Sequence, residues 1–308
     1  AAVDALQFVQ RLGGDEGTGA ADRVAQGDGA AVGVGLGGVE FEAARTLRDL
    51  ESAFGERGED ELASLCGKLA ALEQEHYERL EARSRGLALP AVDYLLFTAA
   101  AEHSSEAGYR ALYVEGLRNL LAALPAAPRR LLFTSSTGVY GQSQGEWVDE
   151  ESPTEPQRFS GRIMLEAERL ALASGLPTTL VRLGGIYGPG RNHLIERVRS
   201  GQGSPLSPTL YGNRIHSADA ARLLDFLVER DRQGLPVAQC YLGVDDEPAP
   251  LHEVEAFIAG LLGVTLQRRG ESQRLGGSKR CSNQRLRRSG FELRYPSYRD
   301  GYRALLSQ

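Results

Sequence analysis

The sequence predicts an α/β fold, a parallel sheet with helices on both faces, and three observations point to it. From Val92 onward, short β-branched or aromatic runs alternate with helix-length amphipathic segments, the pattern of βαβ units. The first of these runs, DYLLFTAA, is apolar enough for a fully buried strand. The chain has 308 residues, 42% of them hydrophobic, which suffices for one large or two modest domains around a sizeable core.

The elements follow in order along the chain. DYLLFTAA (93 to 100) reads as a strand and YRALYVEGLRNLLAAL (109 to 124) as a helix with an apolar face. RRLLFTSS (129 to 136) is the next strand, RIMLEAERLALAS (162 to 174) the next helix, and PTTLVRLGGIYG (177 to 188) the strand after it. A helix is expected at 217 to 230, a short strand at 240 to 244, a helix at 250 to 262, and then a basic, turn-rich end.

Residues 1 to 89 depart from this pattern and form an atypical Gly-rich and helical N-terminal region. Gly13 to Gly38 holds ten glycines in 26 positions without a period, more than a packed element tolerates. Within it, Gly33 to Gly38 (GVGLGG) formally matches G-x-G-x-x-G, but GDGAAV is a poor strand to precede a dinucleotide fingerprint. Two helical patterns follow, near 40 to 54 and 60 to 84. The second carries Glu73-x-x-His76, an acid and an imidazole on one helix face, which Glu40 or Glu42 could meet across a hairpin. Residues 39 to 85 weakly resemble a rubrerythrin-type, ferritin-like hairpin. One such motif supplies half of a di-iron set, so no metal is expected, and Glu73, Glu75 and Glu78 with Arg79 and Arg83 read as a solvated face.

Charge and cysteine usage exclude several functions. Gln267 to Arg303 carries eleven Lys or Arg against three acids, a local +8, leaving −14 for the rest of a chain with a net charge of −6. A basic stripe of this kind, in a chain of pI 5.6, is more often a solvated face than a nucleic-acid surface and fits a phosphorylated or otherwise anionic small molecule. Cys66, Cys240 and Cys281 are widely spaced, so buried or inert thiols are expected and not disulfides or a thiolate zinc site. No apolar run approaches the roughly 20 residues that span a bilayer, and AAVDALQFVQ lacks the features of a signal peptide. No membrane partner and a cytoplasmic location are the expectation.

DYLLFTAA, YVEGLRNLL, LLFTSSTGVYG, LVRLGGIYGPGR and NRIHSADAARLL, in this order and spacing, resemble an extended short-chain dehydrogenase/reductase of the NAD-dependent epimerase/dehydratase family. The resemblance spans residues 90 to 308. It implies a Rossmann-type sheet, a small C-terminal substrate subdomain from about residue 190, and NAD or NADP as cofactor. It places Thr98, Ala99, Ala100 and Ser135, with Gly184, Gly185 and Ile186, along the cofactor. Ser136 falls where the family hydrogen-bonds the substrate oxygen; read from the residues alone, it is a strand-end hydroxyl satisfying a local amide. Arg191, Asn192, Arg214 and His216 fall where relatives hold substrate phosphates or sugars.

The same register puts Ser160 and Met164 where the family keeps its catalytic tyrosine and lysine. The chain has only two lysines, Lys68 and Lys279, neither four residues after a tyrosine. Neither a serine hydroxyl nor a thioether titrates near neutral pH, which leaves Ser136, Tyr140 and Arg162 as the candidate catalytic groups. The expected function is an NAD(P)-dependent epimerase, dehydratase or reductase-like protein acting on a sugar-like or anionic small molecule. The alternatives are a non-catalytic binding or regulatory protein on the same scaffold, and a ferritin-like metal module fused to a Rossmann relic. Without the first three strands of the usual order 3-2-1-4-5-6, DYLLFTAA would be an exposed apolar edge. The N-terminal helices, or a second subunit in a homodimer, would then cover it.

Overall fold

The computed structural model describes residues 31–34, 91–100, 105–268 and 277–307, the first group by its backbone alone. The expected helices at 40 to 54 and 60 to 84, with Glu40, Glu42, Glu73 and His76, lie outside the described residues.

Five parallel strands form the central sheet: β1 (Ala31–Val34), β2 (Tyr94–Phe97), β3 (Arg130–Ser136), β4 (Thr178–Leu183) and β7 (Cys240–Gly243), in the order β1-β2-β3-β4-β7. Leu131, Leu132 and Phe133 of β3 are fully buried, so both faces of this strand are covered. That is why these runs read as continuous apolar stretches. Period-2 alternation then divides the core. Leu95, Phe97, Leu131, Phe133 and Leu180 point to one face, where the Phe97 and Phe133 rings stack at 5.3 Å. Tyr94, Leu96, Leu132 and Val181 point to the other.

The first face is covered by a helical run, α1 (Glu106–Tyr109), a π-helical stretch Arg110–Gly116 and α2 (Leu117–Ala122), and by α3 (Phe159–Leu172). Helix α3 presents Ile163, Met164, Ala167 and Ala171, the helical spacing of one face, to that core. The second face packs against α5 (Ser217–Arg232) through Leu223 and Leu227, and against α7 (Gln284–Arg288) through Leu286.

The sheet edge differs from the expectation. Ala31–Val34 lies parallel along β2, with Ala31 opposite Tyr94 and Val34 opposite Phe97, so a strand covers DYLLFTAA where helices or a second subunit were expected. The residues are small and the strand is four long, too little for a sequence pattern, yet backbone pairing needs no side chain. Gly33 and Val34, the start of GVGLGG, therefore end a parallel strand at the sheet's carboxyl edge; Gly35 to Gly38 lie outside the described residues.

PTTLVRLGGIYG also differs, splitting into β4 and β5 (Gly185–Tyr187), which leaves the main sheet to pair in parallel with β6 (Arg214–His216). The break falls at Gly184. A Cβ there would sit 3.0 Å from the Asn213 and Arg214 backbone, so the segment entering β6 approaches this closely because the residue is a glycine. A third core follows, in which Tyr187 and Ile195 of α4 (His193–Arg199) meet Val254 and Ile258 of α6 (Leu251–Leu262) and Tyr298 and Tyr302 of α8 (Tyr298–Leu306). No described helix is long and apolar enough to cross a membrane. Cys240 and Cys281 are buried free thiols that burial pushes up to about 12, so they are inert near neutral pH.

Candidate functional site

In a parallel sheet the ligand crevice lies beyond the carboxyl ends of the strands, and most of the expected site residues collect there. After β2, Thr98 and Ala99 are buried and Ala100 is exposed. The Thr98 hydroxyl is buried without a hydrogen-bond partner among the described residues. The neighbouring strand end is pinned by the Thr134 hydroxyl, which donates to the Phe97 carbonyl at 3.0 Å.

Ser136 ends β3 and caps the short 3-10 turn Thr137–Val139, accepting a hydrogen bond from the Gly138 amide at 3.0 Å. This is the local strand-end role; the hydroxyl proton is still available to a ligand. Helix α3 begins against that turn. A Cβ at Gly161 would lie 2.4 Å from the Gly138 carbonyl oxygen, so the glycine allows the helix to start beside Ser136. Ser160 is half-buried there, while Met164 belongs to the apolar core. The thioether of Met164 is therefore packed and faces no crevice.

Tyr140 and Arg162 are placed apart from this crevice chemistry. The Tyr140 hydroxyl donates to the Asp149 carbonyl at 2.8 Å and accepts from Arg182 at 2.7 Å. Burial raises it above the ordinary phenol range. Arg162 is exposed and donates to the Gln157 carbonyl at 2.7 Å. Ser135 turns inward and donates to Glu168 at 2.5 Å.

That carboxylate belongs to an ion pair that reading the sequence missed. Glu168 of α3 and Arg182 of β4, both buried, face each other as a fork: Nε to Oε1 at 2.9 Å and Nη2 to Oε2 at 2.8 Å. The signal was present. Glu168 lies four residues after Met164 on the apolar face, and Arg182 interrupts the apolar strand TTLVRL; a charge at such a position needs a partner.

Past β4, Gly184 donates to the Gly243 carbonyl at 3.0 Å and Gly185 to that of Asn213 at 2.9 Å. Gly185 is exposed and Ile186 half-buried, so the chain past β4 offers bare backbone at the two glycines. Arg191 and Asn192 are exposed on the segment entering α4, whereas Arg214 and His216 are buried under α8. The structure therefore divides the four expected substrate ligands into two pairs. His216 accepts from the Ala218 amide at 3.2 Å, and burial lowers it to about 4, so it caps α5 as a neutral ring. The Arg214 guanidinium stacks over Tyr298 at 5.5 Å.

The profile described as the NAD dependent epimerase/dehydratase family matches residues 77–239. The chain belongs to the NAD-dependent epimerase/dehydratase family. Among relatives of this family, the protein YeeZ of Escherichia coli strain K12 is 30% identical over 222 residues, 68% of this chain and 74% of YeeZ. A structure described as an NAD-dependent epimerase/dehydratase from Methylobacillus flagellatus is 36% identical with a TM-score of 0.58, over 70% of this chain and 76% of that one. The human epimerase family protein SDR39U1, solved with NADPH, shares the fold at a TM-score of 0.63 and 19% identity, over 74% and 86% of the two chains. Among the described residues no group of three His, Cys, Asp or Glu could hold a metal ion.

Proposed function

We propose that this chain binds NAD or NADP across the carboxyl edge of the sheet and acts as an epimerase, dehydratase or reductase-like protein on a sugar-like or anionic small molecule. The observation that carries the reading is the set of small residues gathered at the carboxyl ends of adjacent strands. Small residues Ala99 and Ala100 follow β2, glycines 184 and 185 follow β4, and Ser136 lies between them at the end of β3.

The residues fit a dinucleotide. The buried Thr98 hydroxyl has no partner among the described residues, and such a group calls for one. Thr98, Ala99, Ala100, Gly184, Gly185 and Ile186 would line the cofactor, which when bound supplies a carbon that accepts or donates hydride. Ser136 would donate its hydroxyl proton to a substrate oxygen while the Gly138 amide orients the acceptor side. Ser135 contributes indirectly, since its hydroxyl is committed to Glu168.

Proton transfer is where this chain departs from its family. Neither Ser160 nor Met164 can exchange a proton near neutral pH, and general acid/base help is worth about 10² to 10⁴ in rate. Turnover by the family's usual route is expected to be lower by at least that factor. Burial of Met164 in the core favours, as the second reading, a dinucleotide-binding protein without catalysis. Nicotinamide absorbance with sugar nucleotides and simple carbonyls separates the two. The first reading expects slow turnover that rises in the double variant Ser160→Tyr, Met164→Lys, and the second expects none in either form.

A further inference from the structure

Lysine is almost never fully buried unless something holds its charge, yet Lys279 is 4% exposed. It opens the short strand Lys279–Cys281, which pairs in parallel with Glu146–Val148. Alternation along that strand turns Lys279 and Cys281 inward. Arg280 turns the other way, its guanidinium 5.0 Å from the ring centres of both Trp147 and Tyr211. Lys279 is tied at both ends to the strand ends that frame the candidate site. At its backbone, the Asn213 side chain donates to the Lys279 carbonyl at 3.0 Å and accepts from the Cys281 amide at 2.7 Å, while the Asn213 carbonyl accepts from the Gly185 amide at 2.9 Å. At the tip of its side chain, Nζ donates to the Tyr140 carbonyl at 3.1 Å. Tyr140 closes the 3-10 turn that Ser136 opens. Such a turn rises about 2 Å per residue, which puts the anchor of the ammonium about 8 Å along the turn from Ser136.

We propose that Lys279 is the proton donor for a substrate oxygen held at Ser136, reaching the site from the C-terminal segment. The inference rests on the proposed function and supplies the proton that Ser160 and Met164 do not. An ammonium has three donors, of which the Tyr140 carbonyl takes one, and its flexible four-carbon stem covers the way to a carbonyl group resting on Ser136. Three other charged or ionisable side chains around that turn are committed: the Tyr140 hydroxyl to Asp149 and Arg182, Glu168 to Arg182 and Ser135, and Arg162 to the Gln157 carbonyl. In the reducing direction the substrate carbon takes hydride from NADH or NADPH and its C=O π pair moves to oxygen. The Nζ–H bond of Lys279 breaks as the new O–H bond forms, and the neutral amine regains a proton from water. In the oxidising direction each movement reverses.

The chain has only two lysines, Lys68 and Lys279, so lysine labelling reads this residue directly and without turnover. The probe is formaldehyde, the smallest carbonyl, with cyanoborohydride to trap the imine, on the folded full chain, and peptide mass spectrometry follows each lysine. A proton donor open to a substrate carbonyl is expected to be methylated in the folded chain, at least tenfold more slowly once NADH or NADPH is bound. A buried brace between the C-terminal segment and Tyr140 would be methylated only after unfolding, and that result overturns the proposal. Labelling that ignores a nucleotide shown by fluorescence to bind overturns it too, and leaves the proposed function standing. Absence of nucleotide binding removes both. With the same sugar nucleotides and simple carbonyls, Lys279→Ala should lower turnover about 10² to 10⁴-fold with nucleotide binding retained, and added methylamine should restore part of it. Turnover equal in parent and variant overturns the assignment. Should Lys279→Ala fail to fold, the labelling of the unaltered chain decides.

Discussion

Arg182 shows how far one side chain in this fold depends on another. Its guanidinium is held by Glu168 and the Tyr140 hydroxyl, all three buried. Removing one partner strands a buried charge, so Arg182→Met is expected to cost about 3–5 kcal/mol in urea denaturation. Replacing both, with Glu168→Leu added, should recover most of that loss. A double variant as unstable as the single would contradict the account. Two further residues carry opposite pH signatures. Burial raises Asp245 to about 8, with Arg214 opposing it. Its contribution to stability is therefore full below the unfolded value of 3.8 and is lost as pH rises through about 8. Asp245→Asn should gain on the parent steadily from pH 5 to pH 8. Burial lowers His216 to about 4, with Asp219 opposing and Arg294 adding to the shift. Its contribution is present above 6.5 and lost as pH falls toward 4. His216→Asn should lose less stability than the parent between pH 6.5 and pH 4, and equal slopes in the two proteins would refute the neutral buried ring. At this scale the sequence was partly legible. Ser136 and the strand-end residues came from register, but the burial of Tyr140, Arg214 and His216 depends on which helix covers them, which spacing does not reveal.

Elements divide by how strongly side chains mark them. β2, β3 and β4 were expected within 93 to 100, 129 to 136 and 177 to 188 of a parallel sheet, and they are Tyr94–Phe97, Arg130–Ser136 and Thr178–Leu183, parallel and adjacent. Strands buried on two faces announce themselves by apolar runs. β1 does not, because AVGV holds its place through backbone pairing beside an existing edge. Helix α8 was read as part of a turn-rich end, although Ser297 and Asp300 form a full capping box at its start and S-x-x-D marks such a start in sequence. Ser297→Ala should cost about 0.5–2 kcal/mol. Gly161 makes a sharper test of element placement. A methyl there would collide with the Gly138 carbonyl, so Gly161→Ala must push α3 away from the turn at Ser136. A loss of roughly 1–3 kcal/mol is expected, as for overpacked sites, together with weaker ligand binding at Ser136. Unchanged melting and binding would show that α3 does not sit where it is described.

For the whole molecule, the sheet order β1-β2-β3-β4-β7 matters most. It places a strand from the glycine-rich N-terminal region beside β2, where the first strand of a dinucleotide-binding half would lie in the order 3-2-1-4-5-6. Its carboxyl end passes into the remaining glycines of GVGLGG. The fold class was legible from strand and helix alternation alone. The joining of residues 31 to 34 to that sheet was not, since nothing in their composition separates a short edge strand from a loop. The central claim is that the carboxyl edge still binds a dinucleotide while the usual proton-transfer pair is absent. Fluorescence titration of the purified full chain with NADH and NADPH tests it most directly. The account predicts saturable binding of at least one of the two, weakened by Gly184→Val, which crowds the crevice wall. No saturation of either by about 1 mM, which corresponds to under about 4 kcal/mol of binding free energy, would contradict it.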